Sequence, residues 1–423
     1  MEEIIDEEFF LNELLSESEK ENKTKNSFEN IGNIKEQFGF KQVGSIANYI
    51  EPINSSNPIE IVLEKFLENE DLQAIPIEED DQIVGLIERR SVSSLLSKKI
   101  GLFSNKKIIN YVKTIPVTFF ARDYIEKILA QVSSAAYAND LQFFPVMYNN
   151  SSFYGLASLE DFMNRVAEVR EKDLEKACFI QQNCLPKSNY KEYNSWPFKL
   201  GIWNKMANAV GGDFYVSEKL SDSLYLTASF DVSGKNVAAA LLTMTIASFF
   251  SMIELDSSNE KYKSPAGVTI ALDDFLQKIV PVGNFITGAL CYVDLKKGIV
   301  EIQNCGHTNV YVFMPKEGSK SVKIFSLEAG LPPFGMGAVK DSLKSVYRFP
   351  IVKGSHINLY SDGFTDMQSE NGIRFEDARA KQFFMRLFSK GTEHFEKTVK
   401  SAVEEWIENA MIPDDITVMD IRL

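Results

Sequence analysis

Four aspartates in the second half of the chain sit where strand-like runs begin or end, and that placement restricts the fold. They are Asp213 in VGGDFYV, Asp231 in FDVSGKN, Asp362 in LYSDGFTD and Asp414 in PDDITVM. LYLTASF runs into Asp231 and HINLYS into Asp362, whereas FYV follows Asp213 and ITVMDI follows Asp414. In an antiparallel sheet the end of one strand lies beside the start of its neighbour. The four can therefore meet on one sheet edge. Carboxylates gathered there repel one another unless a cation sits among them. A hard divalent ion, which prefers oxygen ligands, is the simplest such cation.

The flanking pattern agrees with an antiparallel frame. Extended runs (FKLGIW, SLYLTASF, GALCYVDL, GIVEIQN, NVYVFM, SVYRF, INLYS, ITVMDIRL) mix with helical runs at 237–253, 265–280, 376–388 and 394–410. Strands in hairpin order with helices inserted between them point to an α+β domain and not to a parallel sheet. The longest apolar run, VAAALLTMTIASFFSMI, is short for a membrane span and carries Ser and Thr throughout. It reads as a helix buried on a sheet.

Composition narrows the function. The formal net charge is −14, which argues against a role built on nucleic-acid phosphate contacts. Nine acidic residues and one lysine fall in the first 21 positions, so much of that charge belongs to a tail. An acidic N-terminus does not read as a signal peptide, and a cytoplasmic protein is expected. Cys178, Cys184, Cys291 and Cys305 form no C-x-x-C pair and read as inert thiols of a reducing compartment. With three histidines in the chain, a zinc site of His and Cys has little to build from.

The fragments GGDFY, DVSGK, NCGH, GLPPFG, SDGFTD and DDIT occur in that order between about 189 and 423. Singly each is a turn or a cap. Together they resemble the bacterial metal-dependent serine/threonine phosphatases of the sporulation-phosphatase and sigma-regulator type, within the PP2C (PPM) group. The resemblance implies two antiparallel sheets packed as a sandwich, with helices on both outer faces. It implies that Asp213, Asp231, Asp362 and Asp414 are catalytic, and that they and the carbonyl of Val232 hold two divalent cations, manganese or magnesium. Water activated between such ions would attack a phosphoserine or phosphothreonine; the implied substrate is a phosphorylated anti-sigma-factor antagonist. Asp415 reads as the outer, less essential member of its pair, and Asp366 as a cap. His307 reads either as a proton donor or, more simply, as a structural turn residue. Val216 stands where an acid is usual and Asn236 where glycine is usual. Both are expected to flank the metals and to lower activity. The alternative reading is a catalytically weak phosphatase-fold scaffold in a nucleotide-gated partner-switching complex.

The first half repeats between Val43 and Val166. Each copy runs extended segment, helix, strand around a proline, turn, strand ending near a glycine, helix; Pro76 matches Pro145 and Gly85 matches Gly155. This looks like a pair of CBS domains, a resemblance that implies an adenine nucleotide held by Ser158 and Asp161. The first copy departs, with Glu88 and Ser91 at those places, and Ser158 with Asp161 also reads as a plain helix cap. The resulting division is a disordered acidic tail (1–37), CBS 1 (38–104), CBS 2 (105–166), a linker helix (167–188) and the phosphatase domain (189–423). A seam of Phe162, Val166 and Val169 on the helix leaving the second copy suggests a homodimer; packing on its own module is the competing reading.

Overall fold

The computed structural model describes residues 38–93, 107–115, 117–148, 152–184, 195–234, 237–255, 259–316, 318, 321–339, 345–390 and 394–423. The acidic tail and Asn236 lie outside them. The chain divides into two compact units, Met1–Glu171 and Lys172–Leu423.

The first unit contains one pattern twice. β1 (Ile53–Asn54), α1 (Ile59–Glu68), β2 (Ala74–Glu79) and β3 (Gln82–Glu88) are followed by β4 (Phe119–Phe120), α2 (Ile125–Asn139), β5 (Phe143–Met147) and β6 (Phe153–Ser158). Each copy makes a three-stranded sheet, β1-β2-β3 or β4-β5-β6, with a parallel first pair and an antiparallel second pair. The registers agree residue by residue. Pro76 faces Leu86 as Pro145 faces Leu156, and Ile77 faces Gly85 as Val146 faces Gly155. Each ladder slips at the next position, Ile77/Glu78 and Val146/Met147. Such a bulge bends the strand and adds twist.

The segment leading into each copy crosses to the other. Phe38, Val43, Ile46 and Ala47 pack with Phe119, Phe144 and Phe162 of the second copy. Ile108, Tyr111 and Val112 pack with Ile53, Ile59 and Phe66 of the first. Asn48 bridges to Leu156, and Lys113 to Leu86. Gly85 and Gly155 make this approach possible: a Cβ would lie 2.5 Å from the Lys113 carbonyl oxygen in one case and 2.6 Å from that of Asn48 in the other.

α3 (Leu159–Cys184) leaves β6 and runs across the unit boundary. Its seam corrects one expectation. Phe162, Val166 and Val169 are buried, and the first two belong to the apolar core of the second copy. They are spent inside the chain and offer no surface to another copy.

The second unit continues with β7 (Lys199–Lys205), β8 (Asp213–Lys219), β9 (Leu224–Val232), α4 (Val237–Leu255), α5 (Pro265–Leu276), β10 (Ile286–Asp294), β11 (Ile299–Cys305), β12 (Val310–Pro315) and β13 (Val322–Leu327). β14 (Tyr347–Pro350), β15 (His356–Tyr360), α6 (Asp362–Asp366), α7 (Glu376–Lys390), α8 (Phe395–Ile407) and β16 (Ile416–Arg422) complete it. Two five-stranded antiparallel sheets form, β14-β11-β10-β9-β8 and β13-β12-β15-β16-β7. Three apolar layers order the unit. Leu226, Phe230 and Leu290 meet Ile246 and Leu272 of α4 and α5 outside the first sheet. Ala289, Val300, Ile357 and Met419 fill the space between the sheets. Tyr311, Tyr360 and Val418 meet Phe384 and Val399 of α7 and α8 outside the second. The period-two alternation of β-strand side chains lets one strand serve two layers. α4 takes the apolar run as expected, lying on the first sheet through Ala239, Leu242, Ile246 and Phe250. No helix among the described residues is long and apolar enough to cross a membrane. α5 starts where its sequence dictates, with Ser264 accepting a hydrogen bond from the Gly267 N–H and Pro265 in its first turn.

Candidate metal centre

The four aspartates divide two and two between the facing sheets and do not share one edge. Asp213 opens β8 and faces Asp231 across the ladder with β9. Asp362 follows β15 and Asp414 precedes β16, which are neighbours in the other sheet. By strand alternation Asp213 falls on the same face as Tyr215, and Asp231 on that of Tyr225; both tyrosines belong to the layer between the sheets. The two carboxylates therefore open into the cleft end of the sandwich.

The cleft is closed by hydrogen bonds from sheet to sheet. Thr417 Oγ1 on β16 donates to Asp213 Oδ2. Within the second sheet, Ser361 Oγ donates to the Asp415 carbonyl and accepts from the Thr417 N–H, which holds the ends of β15 and β16 together. Asp415 accepts from the N–H groups of Ala207 at 2.7 Å, Gly212 at 2.6 Å and Asp213 at 3.4 Å. It is a structural clamp on the loop that presents Asp213. Sequence reasoning ranked it the lesser member of its pair because a backbone-directed role leaves no mark in the sequence.

Burial first, and then the charge of Asp231, push the Asp213 carboxyl well above its usual range; hydrogen bonds from Thr417 and Ser361 work against them. A carboxyl held this way is poised to ionise against a nearby cation. Gly212 keeps the adjoining carbonyl clear: a Cβ there would stand 2.6 Å from the Val232 oxygen and 3.3 Å from that of Gly234. Gly363 is required for a different reason, since its Cβ would collide with the Asp415 carbonyl. The donors are all hard oxygens, as a divalent cation of the magnesium or manganese kind requires. The cradle thus fits such an ion at Asp213, Asp231 and the Val232 carbonyl. Among the described residues, no three His, Cys, Asp or Glu side chains already stand together as a ready-made metal cluster.

Val216 does not flank this site. It lies three residues from Asp213, hence on the opposite face of β8, buried with Phe214 against the α4 and α5 side. His307 lies nearer. Its Nδ1 is 3.0 Å from Thr287 Oγ1, which also reaches the Asp231 carbonyl. Burial lowers the ring's pKa to about 4, so it stays neutral at pH 7. Cys291 and Cys305 are buried free thiols that burial pushes upward, as inert cysteines should be.

One residue was not legible in the sequence. Gln181, near the end of α3, is fully buried in the second unit. Its side-chain amide donates to the Gly211 carbonyl at 2.7 Å and to Thr243 Oγ1 of α4 at 2.9 Å, and accepts from the Gly211 N–H at 3.1 Å. A polar residue interrupting a helical seam was the only signal.

In the first unit, Ser158 and Asp161 cap each other. Ser158 N–H and Oγ donate to Asp161 Oδ2, and the Asp161 N–H donates to Ser158 Oγ. Their polar atoms serve the start of α3. Glu88 is buried at the matching place in the first copy; its carboxylate accepts from the Gln142 N–H and pairs with Arg90. Asp161→Ala is expected to cost about 1 kcal/mol of stability through the lost cap, read by chemical denaturation. Unchanged stability would show that the cap contributes nothing.

Residues 221–423 match the family described as Stage II sporulation protein E (SpoIIE). The chain is 24% identical to the phosphoserine phosphatase RsbU of Bacillus subtilis over 273 residues, 64% of this chain and 76% of RsbU. It is 26% identical to the protein IcfG of Synechocystis over 278 residues, 60% of this chain but only 42% of IcfG. Among solved structures, the SiaA PP2C domain of Pseudomonas aeruginosa superposes with a TM-score of 0.51 at 21% identity, covering 62% of this chain and 99% of that domain. The two-sheet, four-layer second unit has the PP2C-like fold. Over residues 221–423 the second unit is similar to SpoIIE-family domains, and over a longer stretch the chain is similar to RsbU.

Proposed function

We propose that the protein is a metal-dependent phosphatase that removes phosphate from a phosphoserine or phosphothreonine of a regulatory protein, of the anti-sigma-factor-antagonist kind, under control of a ligand bound by the repeated first unit. The observation that carries the reading is the cross-strand pair Asp213–Asp231, with the Val232 carbonyl kept open by Gly212. RsbU being a phosphoserine phosphatase supports the substrate class. Asp213, Asp231, the Val232 carbonyl, Asp362 and Asp414 would hold two divalent cations. Bound there, such ions neutralise phosphoryl charge and make a usable nucleophile of water near neutral pH. The chain's own work is positional. Thr417 and Ser361 orient Asp213, and Asp415 fixes the loop that carries it. No cysteine or Ser-His pair is needed, since water makes the attack.

The first unit is read as a CBS pair, on the strength of its repeated registers and exchanged leading segments, with an adenine nucleotide as the expected ligand. Control would pass through α3. Gln181 bonds both to the loop before Asp213 and to α4, so a shift of that helix changes the cradle directly. A cytoplasmic homodimer completes the proposal, with its interface elsewhere than the buried seam. The decisive test is hydrolysis of a phosphoserine peptide and of p-nitrophenyl phosphate with manganese, repeated with adenine nucleotides. Turnover lost to a chelator and restored by metal supports the reading; failure on both substrates favours the scaffold alternative.

A further inference from the structure

A cavity of about 480 Å³ in the second unit opens between the end of β15 and the start of α7. Asp366, Glu376 and Asp377 line it, against one cation, Arg374. That arginine is not surplus charge, because it stands 3.6 Å from Asp366, and Glu376 is 3.9 Å from Arg379 just outside the lining. Asp377 is held as an acceptor by neutral donors, the hydroxyls of Tyr311 and Tyr360 and the amide of Asn309, which leave its negative charge uncompensated. His307 also lines the cavity. It is 6% exposed, its Nδ1 is taken by Thr287, and its Nε2 has no hydrogen-bond partner among the described residues. A buried, unpaired ring nitrogen in an acidic cavity marks a place built for a polar group the chain does not supply.

We propose that this cavity is a specificity subsite that takes a lysine or arginine side chain of the protein substrate, close in sequence to the phosphorylated residue. The inference rests on the phosphatase reading above and deepens it. Three carboxylates against two guanidinium groups, with Asp377 bonded by neutral donors alone, leave a net negative wall that favours a cation. The acidic wall steers a basic flank while the phosphate turns toward the aspartate cradle.

The test compares two phosphoserine peptides, one with lysines on both flanks and one with glutamines, using the full chain with manganese. The lysine peptide should have a kcat/KM about tenfold higher at low ionic strength, a preference that added salt erodes. Glu376→Gln and Asp366→Asn should each bring that ratio toward one. Equal kcat/KM for the two peptides, or a ratio that neither variant moves, overturns the subsite. No hydrolysis of either peptide or of p-nitrophenyl phosphate would instead bring down the phosphatase reading on which it rests.

Discussion

On the proposed reading, Asp231→Ala is expected to give a folded protein whose phosphatase activity with manganese falls by at least about a thousandfold, because charge stabilisation and water activation would be lost together. Removing Asp231 also removes the largest of the charges that push Asp213 upward, leaving burial and Asp415. Metal-free stability should therefore hold or rise, where a loss of fold would have lowered it. The pH dependence has a definite sign. A carboxyl whose folded pKa is raised favours the fold most below its unfolded pKa, near 3.9, and that contribution is lost as pH rises through the folded value. Chelator-treated wild type should accordingly lose thermal stability on going from about pH 4 toward 8, and Asp231→Ala should flatten the trend. Near-normal turnover by the variant would remove Asp231 from the site, and an unchanged pH trend would remove its coupling to Asp213.

Asp415→Ala is expected to be the most destabilising single change in the second unit. It strips the acceptor from the N–H groups of Ala207, Gly212 and Asp213, in a residue only 5% exposed. A buried donor left without a partner costs roughly 1–3 kcal/mol; allowing for water entering the gap, the sum is about 3–5 kcal/mol. Denaturant titration with and without metal checks this. Asp414→Ala should lose activity with far less loss of stability, and a stability loss equal to that of Asp415→Ala would erase the distinction between clamp and ligand.

The frame of the second unit was legible because strand alternation and hairpin order are local properties. Asp213, Asp231, Asp362 and Asp414 lie at strand boundaries as their flanking runs require. The error in placing all four on one edge has a physical origin. β8 and β9 are consecutive neighbours, as are β15 and β16, but which sheet each pair joins is set by long-range packing. The misreading of Val216 came from proximity in sequence overriding the two-residue period, which sends it to the opposite face. Asp415 and Gln181 were illegible for a common reason. Each acts on backbone groups far away in the chain, 203 residues from Asp415 to Gly212 and 30 from Gln181 to Gly211. In the first unit the repeat was visible as Pro76/Pro145 and Gly85/Gly155, whereas the exchange of leading segments was not, since either copy could have kept its own.

That exchange makes the two copies mutually dependent for folding. A fragment cut at the boundary between them carries one sheet with the other sheet's packing segment. Deleting residues 38–49 would strip apolar cover from the distant second copy and spare the adjacent first. Neither half can mature alone on the path to the native state, so the module should melt in a single transition. Any molecule gripped by one copy would stiffen both.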